Sequence, residues 1–269
     1  MHHIGALLEA GGNKVFFVNG VLSVLAEQNI HIDYLVGYSS AAPIVLAHFS
    51  ARHTDILNDF AARLDANPQN FYWFKRPHFP QDRIYGNAVT NLVTAYRSQA
   101  RDGKYTIYGA ASAPNAPVFK SLATSNALLF RYSFGINFLG LYRRMLGIRM
   151  ITATETSDYT ADEFSRFIMG TSSLYPFISY YTVRGELILE GAVLEITPEA
   201  ALSNCSKKIM IHTERGATGA VGDIFHIYAD AAIPNNVLDY TSGAAITSLH
   251  AHGADVMRRN IDALRTFLV

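Results

Sequence analysis

"YLVGYSSAAPIVLAHF", residues 34–49, is a short apolar run followed by two serines and then by a stretch with helical spacing. Within it, residues 37–41 read Gly-Tyr-Ser-Ser-Ala, a G-x-S-x-small pattern that is typical of a sharp turn from a strand into a helix. Such a turn lifts the central serine, Ser39, off the backbone and places it before the positive end of the helix dipole. Pro43 falls in the first helical turn, where its missing N–H costs little. The stretch predicts a strand, a corner and a helix, with Ser39 either a nucleophile or an ordinary turn residue.

The rest of the chain alternates apolar runs of strand length with helical spacing, which predicts an α/β fold whose parallel sheet is covered by helices. Asn87 is a candidate cap for one helix, and Gly253 is a candidate break in another. No linker rich in Pro, Gly and Ser divides the chain, so a single domain over residues 1–269 is the economical interpretation. The predicted strands cover 3–9, 32–37, 148–154 and 207–213, the predicted helices cover 14–27, 87–99 and 241–267, and a predicted hairpin covers 179–190.

The composition favours a small or apolar partner. Hydrophobic residues make up 49% of the 269 positions, and 22 Lys and Arg balance 22 Asp and Glu, so no basic field favours nucleic acid. The single cysteine, Cys205, excludes an internal disulfide framework and a multi-cysteine zinc site. The first ten residues lack the features of a secretory signal, and no apolar window has the length of a membrane span. We therefore expect a soluble, cytoplasmic protein.

A pair of glycines supplies the second candidate feature. Gly11 and Gly12 stand between the first predicted strand and the helix at 14–27, where exposed backbone N–H groups can hold a negative charge. A serine that transfers acyl groups needs such an oxyanion hole. The alternative is that the two glycines only permit a tight turn.

The ten histidines offer no clear base for Ser39. His212 and His226 fall in or at the end of predicted strands, and His250 and His252 lie in the C-terminal helical stretch, so a core or surface role is favoured for each. The serine also lies on the second strand, earlier than in an ordinary α/β-hydrolase, whose order is serine, acid, histidine.

Four sequence blocks, in order and spacing, resemble the patatin-like phospholipase family. The family's glycine-rich loop and the helix after it resemble residues 10–22, "AGGNKVFFVNGVL", and its nucleophile elbow resembles residues 33–41. Its A-S-S-A-x-P-x-x-F segment resembles residues 170–178, where Ser172, Ser173 and Pro176 match the serines and the proline of the motif. Its D-G-G or D-G-A motif resembles residues 190–192, "EGA", which lead to Pro198.

The resemblance implies a three-layer sandwich with a mostly parallel central sheet, and a Ser-acid dyad that uses no histidine. It implies Ser39 as the nucleophile, Glu190 in the place of the family's aspartate, and Gly11, Gly12 and Asn13 as the oxyanion hole. It implies a lipid or fatty-acyl ester as substrate, possible peripheral contact with membranes, and no metal or other cofactor. The chain differs from the family pattern at Ala10, Val15 and Ala41, in Ile196-Thr197 before Pro198, and in its glutamate.

Two other functions stay open at this stage. A catalytically silent relative would bind lipid or a partner without turning it over. Acyl transfer to an alcohol or thiol is disfavoured, because transferases with this corner usually carry histidine where this chain has Tyr38.

Two further segments have a functional and a structural interpretation. Residues 70–80, "NFYWFKRPHFP", are either a lid at a lipid interface or a small satellite core, and the second is favoured. Residues 138–148 are either a lipid-facing amphipathic helix with Arg143 and Arg144 near phosphate or a solvated helix face, and again the second is favoured.

Overall fold

A computed structural model describes residues 2–75, 77–97, 103–231, 233 and 238–269 of the chain. Its strands form one twisted sheet, which is parallel at the centre, where β1 pairs with β2 and β7, and antiparallel at both margins. The α/β prediction is confirmed. The strands of the described residues are β1 (His2–Leu8), β2 (Tyr34–Tyr38), β3 (Lys104–Ser112), β4 (Arg149–Thr154), β5 (Tyr181–Val183), β6 (Glu186–Leu189), β7 (Cys205–Arg215), β8 (Gly219–Val221) and β9 (Ile224–Ala229).

Helices cover both faces of this sheet, as in a three-layer sandwich. The larger apolar core packs α1, α2, α3, α4, α7 and α9 against one face, and smaller clusters pack α5, α6 and α8 against the other. The helices are α1 (Val15–Glu27), α2 (Ala42–Phe49), α3 (His53–Asp65), α4 (Gln81–Arg97), α5 (Pro117–Phe134), α6 (Leu139–Met145), α7 (Ala161–Gly170), α8 (Pro198–Ala201) and α9 (Gly243–Leu268).

Two expectations about strands have different outcomes. The hairpin at 179–190 is confirmed as β5 and β6, which turn at Arg184 and Gly185. The strand expected at 148–154 exists as β4, but it runs antiparallel to β3 and does not extend the parallel part of the sheet. A hydrophobic run indicates a buried strand without fixing its direction.

Two expectations about helices are wrong. Asn87 does not cap a helix, because α4 begins six residues earlier at Gln81, directly after Pro80. Positions 98 and 99 of that predicted helix lie outside the described residues.

Gly253 does not break the C-terminal helix, since α9 continues through it. A Cβ at Gly253 would lie 2.0 Å from the Phe17 carbonyl oxygen, and one at Gly20 would lie 2.0 Å from the His250 carbonyl oxygen. These glycines therefore let the backbones of α1 and α9 approach closely.

Candidate active site

The sheet register brings Ser39 and Glu190 together. On one side of β3, β2 ends with Tyr38 paired to Tyr108, and β6 begins its antiparallel pairing with Leu189 opposite Ala110. The other side of β3 is occupied by β4 along both stretches, so β2 and β6 meet end to end. The residue after each strand, Ser39 in one case and Glu190 in the other, emerges at the same point of the sheet.

The corner at Ser39 has the strained geometry that its sequence predicts. Ser39 adopts a φ of 52°, in the left-handed region that non-glycine residues rarely occupy, and begins a short 3-10 helix that leads into α2. A Cβ at Gly37 would lie 2.8 Å from a methyl group of Val45, so a glycine lets β2 and α2 approach each other. Strain of this kind persists where the surrounding structure enforces it, and it is common at functional sites.

Glu190 is a buried carboxyl group that lies near the Ser39 hydroxyl. The N–H of Ala192 donates a hydrogen bond to the carboxylate at 3.2 Å, and the Ser39 hydroxyl is close enough to favour its charged form. Burial raises the pKa of Glu190 to about 8, against the opposing influence of the Ser39 hydroxyl and the Ala192 N–H. A carboxyl group with a pKa near neutrality suits proton transfer better than an exposed one.

Gly191, the residue after Glu190, lies in a place with little room for a side chain. A Cβ at Gly191 would lie 3.0 Å from the Tyr38 Cβ and 3.6 Å from the backbone nitrogen of Ser39. A larger residue there would be tightly packed against Tyr38 at the corner.

The glycine pair also lies against the corner. Gly12 has a φ of 57°, which favours glycine, and a Cβ at Gly11 would lie 2.9 Å from the Thr213 hydroxyl. The N–H of Gly11 donates a hydrogen bond to the Ser40 hydroxyl at 3.1 Å. One of the three expected oxyanion donors is therefore engaged within the protein.

Gly12 and Asn13 face the cavity beside Ser39, whereas the side chain of Asn13 is committed elsewhere. Both residues belong to the first turn of a 3-10 helix, where backbone N–H groups have no partner inside the helix. The Asn13 amide donates to the Asp239 carbonyl and accepts from the Tyr85 hydroxyl. Only the backbone of Asn13 is thus suited to hold an oxyanion.

A small cavity of about 80 Å³ is lined in part by Ser39 and Glu190. It extends between α1, α2, α3, α4 and α7, and its walls are mainly apolar. Most small-molecule pockets are larger, at roughly 300 Å³ or more. The apolar side chains of the wall include Val15, Phe16, Ile44, Phe60, Val89 and Met169.

The four histidines considered in the sequence have other partners. His212 hydrogen-bonds to His226 at 2.9 Å and stacks on Tyr228, while His250 contacts Asn19 and His252 contacts Asp230.

Residues 170–178, which contain Ser172 and Ser173, contribute one of these serines to the cavity wall. Ser172 lines the cavity, whereas the Ser173 hydroxyl is buried with no hydrogen-bond partner among the described residues.

The aromatic segment 70–80 has a packed part and an exposed part. Phe71 and Phe79 pack together, but Phe79 also packs against the main core, so the segment is not a separate satellite core. Trp73 and Phe74 are exposed. Arg76 lies outside the described residues.

Sequence reasoning missed the residues that anchor the glycine loop. Thr213 donates to the Ala10 carbonyl, Ser40 accepts from Gly11, and Tyr85 holds Asn13. The second serine of the Ser39-Ser40 pair was the only available signal.

Within the described part of the chain, no group of three or more His, Cys, Asp or Glu side chains is placed to hold a metal ion. No helix in the same residues combines the length and apolarity needed to cross a membrane.

Comparisons with known proteins give a distant structural neighbour. The crystal structure of VipD from Legionella pneumophila matches 97% of this chain and 67% of its own, with a TM-score of 0.48 and 11% sequence identity. No protein-family model and no curated protein matches the sequence.

Proposed function

We propose that the protein is a serine hydrolase that works with a serine and an acid and needs no histidine. Within that class, we propose a lipid acyl hydrolase of the patatin-like kind, which cleaves carboxylic esters of fatty acids. The observation that carries the proposal is that the Ser39 hydroxyl lies near the buried Glu190 carboxyl group, with both residues in the wall of one apolar cavity.

In this mechanism, Ser39 Oγ attacks the ester carbonyl carbon while its proton passes to Glu190. The carbonyl oxygen becomes an oxyanion, held by the N–H groups of Gly12 and Asn13. Collapse of the tetrahedral intermediate breaks the ester bond, and the leaving alcohol takes the proton from Glu190. A water molecule then attacks the acyl-serine and gives a proton to Glu190, which returns it to Ser39 as the fatty acid leaves.

The apolar wall supports an acyl chain as the bound group. Ser39 and Glu190 belong to this wall, so the scissile ester would lie beside them and the chain would extend along the apolar side chains of the helices. In its present size the cavity suits a short chain, and a long one requires the walls to move apart.

A fluorophosphonate probe tests the nucleophile. We expect the native protein to be labelled at Ser39, the Ser39→Ala variant to be unlabelled, and the neighbouring Ser40→Ala variant to retain the label. Failure of the folded native protein to react would reject the hydrolase and favour a silent lipid-binding module. Comparing Glu190→Asp with the native protein also tests the acid, because a higher rate in that variant would mean that the extra methylene of glutamate hinders catalysis.

A further inference from the structure

Helix α5 has its polar and apolar faces reversed relative to a helix on the surface of a water-soluble protein. Phe119 and Phe134 are 64% and 68% exposed, whereas Ser121 and Ser125, on the opposite face, are each 2% exposed. The hydroxyls of both serines are buried without a hydrogen-bond partner among the described residues. Burying such groups costs free energy, and exposing phenylalanine to water gains none. The outer face of α5 would therefore be more stable in contact with an apolar surface than in contact with water.

This surface continues beyond α5 into α6. Phe130 contacts both Phe134, at a ring-centroid distance of 5.7 Å, and Phe138, at 6.5 Å, which links the two helices. A set of exposed apolar side chains this close together is unusual on a monomeric protein. The α5–α6 apolar face consists of Phe119, Leu129, Phe130, Phe134, Phe138 and Met145.

The same segment is positively charged. Residues 113–150 contain five Lys or Arg and no Asp or Glu, although the whole chain is neutral. Glu195 pairs with Arg131 and Arg143, and Glu186 pairs with Arg149. Lys120 donates to the Ser112 hydroxyl, the Ala113 carbonyl and the Asn115 side-chain oxygen, all of which are neutral, and Arg144 is exposed. Both therefore leave positive charge beside the apolar face.

The α5–α6 apolar face is attached to the segment that carries Glu190. Arg131 on α5 donates to the Glu195 carboxylate at 2.8 Å, and Arg143 on α6 donates to the Leu194 carbonyl at 2.9 Å. A surface that covers this face would thus lie against helices that contact the segment after Glu190.

We propose that the α5–α6 apolar face docks on the surface of an anionic phospholipid membrane. Phenylalanine and methionine would enter the boundary between headgroups and acyl chains, while Lys120 and Arg144 face the phosphates. A symmetric contact with a second copy would place the same cations opposite each other, so a membrane is the better occupant. Presenting the site to lipid depends on the proposed hydrolase function, but binding to the membrane does not.

Cosedimentation of the full chain with vesicles tests this proposal. We expect binding to vesicles of phosphatidylcholine with phosphatidylserine, and much weaker binding to phosphatidylcholine alone. The double variant Phe119→Ser, Phe134→Ser should bind anionic vesicles on the order of tenfold more weakly, because two apolar side chains no longer enter the lipid. Lys120→Glu with Arg144→Glu should lose most of the preference for anionic lipid.

The controls separate docking from folding and from catalysis. Val221→Ser removes an exposed apolar side chain on β8, away from this face, and should bind like the native protein. Ser39→Ala should bind vesicles normally even though it hydrolyses nothing, and the phenylalanine variant should cleave a water-soluble short-chain ester at the native rate. Native binding by the phenylalanine variant would overturn the proposal. So would sedimentation equilibrium showing a dimer that this variant loses, since the face would then belong to a second copy.

Discussion

Tyr38 and Leu189 lie on the same side of β3, opposite Tyr108 and Ala110, and so each delivers the next residue of its strand to one point. The proximity of Ser39 and Glu190 follows from this arrangement of two strands. Catalytic groups carried by such rigid elements hold their geometry better than groups on long loops. This is why the acid and the serine can meet although the chain between them is long.

Activity should depend on the ionisation of Glu190. Since burial raises its pKa to about 8, and a base must be deprotonated, kcat for a soluble ester should rise with pH to a plateau above about 8. Glu190→Gln keeps the shape and removes the base, so it should lower kcat on the order of a hundredfold or more. A native pH profile that is flat from 6 to 9 would contradict the assignment.

The same pKa predicts how stability changes with pH. The ordinary pKa of 4.5 applies to the unfolded chain, so between about 4.5 and 8 the folded protein holds a proton that the unfolded chain releases. The contribution of Glu190 to the free energy of unfolding is therefore full below about 4.5 and is lost as pH rises to about 8. Urea denaturation should show that native protein loses stability relative to Glu190→Gln over this interval. A constant difference would mean that Glu190 is not buried as a proton-holding group.

Ser40→Ala distinguishes two roles for the Gly11 N–H. If Ser40 only anchors the loop, its removal should lower kcat about tenfold and destabilise the protein by about 1 kcal/mol, the usual value for one hydrogen bond. If Gly11 is an oxyanion donor that Ser40 keeps occupied, kcat should rise instead. We expect the first result, because Gly12 and Asn13 line the cavity and Gly11 does not. Steady-state kinetics together with thermal unfolding measure both effects.

Met169→Ala should shift the preference of the proposed hydrolase toward longer acyl chains. Met169 lines the cavity, and shortening it lengthens the space available to a chain. The ratio of kcat/KM for an octanoyl ester to that for a butyryl ester should increase several-fold. Met257→Ala is the matched control, since Met257 is also buried but lies on α9, outside the cavity wall. Both variants should lose stability, by about 2 to 5 kcal/mol, and only the first should change the ratio.

Gly253→Ala should destabilise the protein by at least about 1 to 3 kcal/mol, because its Cβ would overlap the Phe17 carbonyl oxygen. Gly140→Ala, on α6, is the control. A Cβ there meets nothing within 4 Å, so the variant should be about 0.4 to 1 kcal/mol more stable than the native protein. Urea denaturation of the two variants checks both values, and equal stability would show that α1 and α9 are not in close contact.

The local parts of the site could be predicted from the sequence. The corner at Ser39, the turn at Gly12 and the acid before Gly191 each depend on residues next to one another, and such patterns fix backbone shape. That these parts form a catalytic site stays a prediction.

The non-local parts could not be predicted. The direction of β4 and the short pairing of β6 with β3 involve distant strands, and no local period encodes them. The bond from Gly11 to Ser40 likewise joins two loops. Helix α5 is a different case, because its phenylalanines indicate a buried face by their spacing, and the structure places them outside.

Residues 113–148 leave the sheet after β3 and rejoin it at β4, and the two ends of this excursion lie side by side. Ala111 pairs with Arg149, and the Ser112 hydroxyl donates to the Leu146 carbonyl at 2.7 Å. The excursion that holds α5 and α6 is thus closed at its base. The same excursion also packs on β6, because Ala127, Leu128 and Leu139 share a core cluster with Leu187 and Leu189. Replacing it would therefore disturb the strand that carries the acid, so the outer helices and the chemical centre must change together.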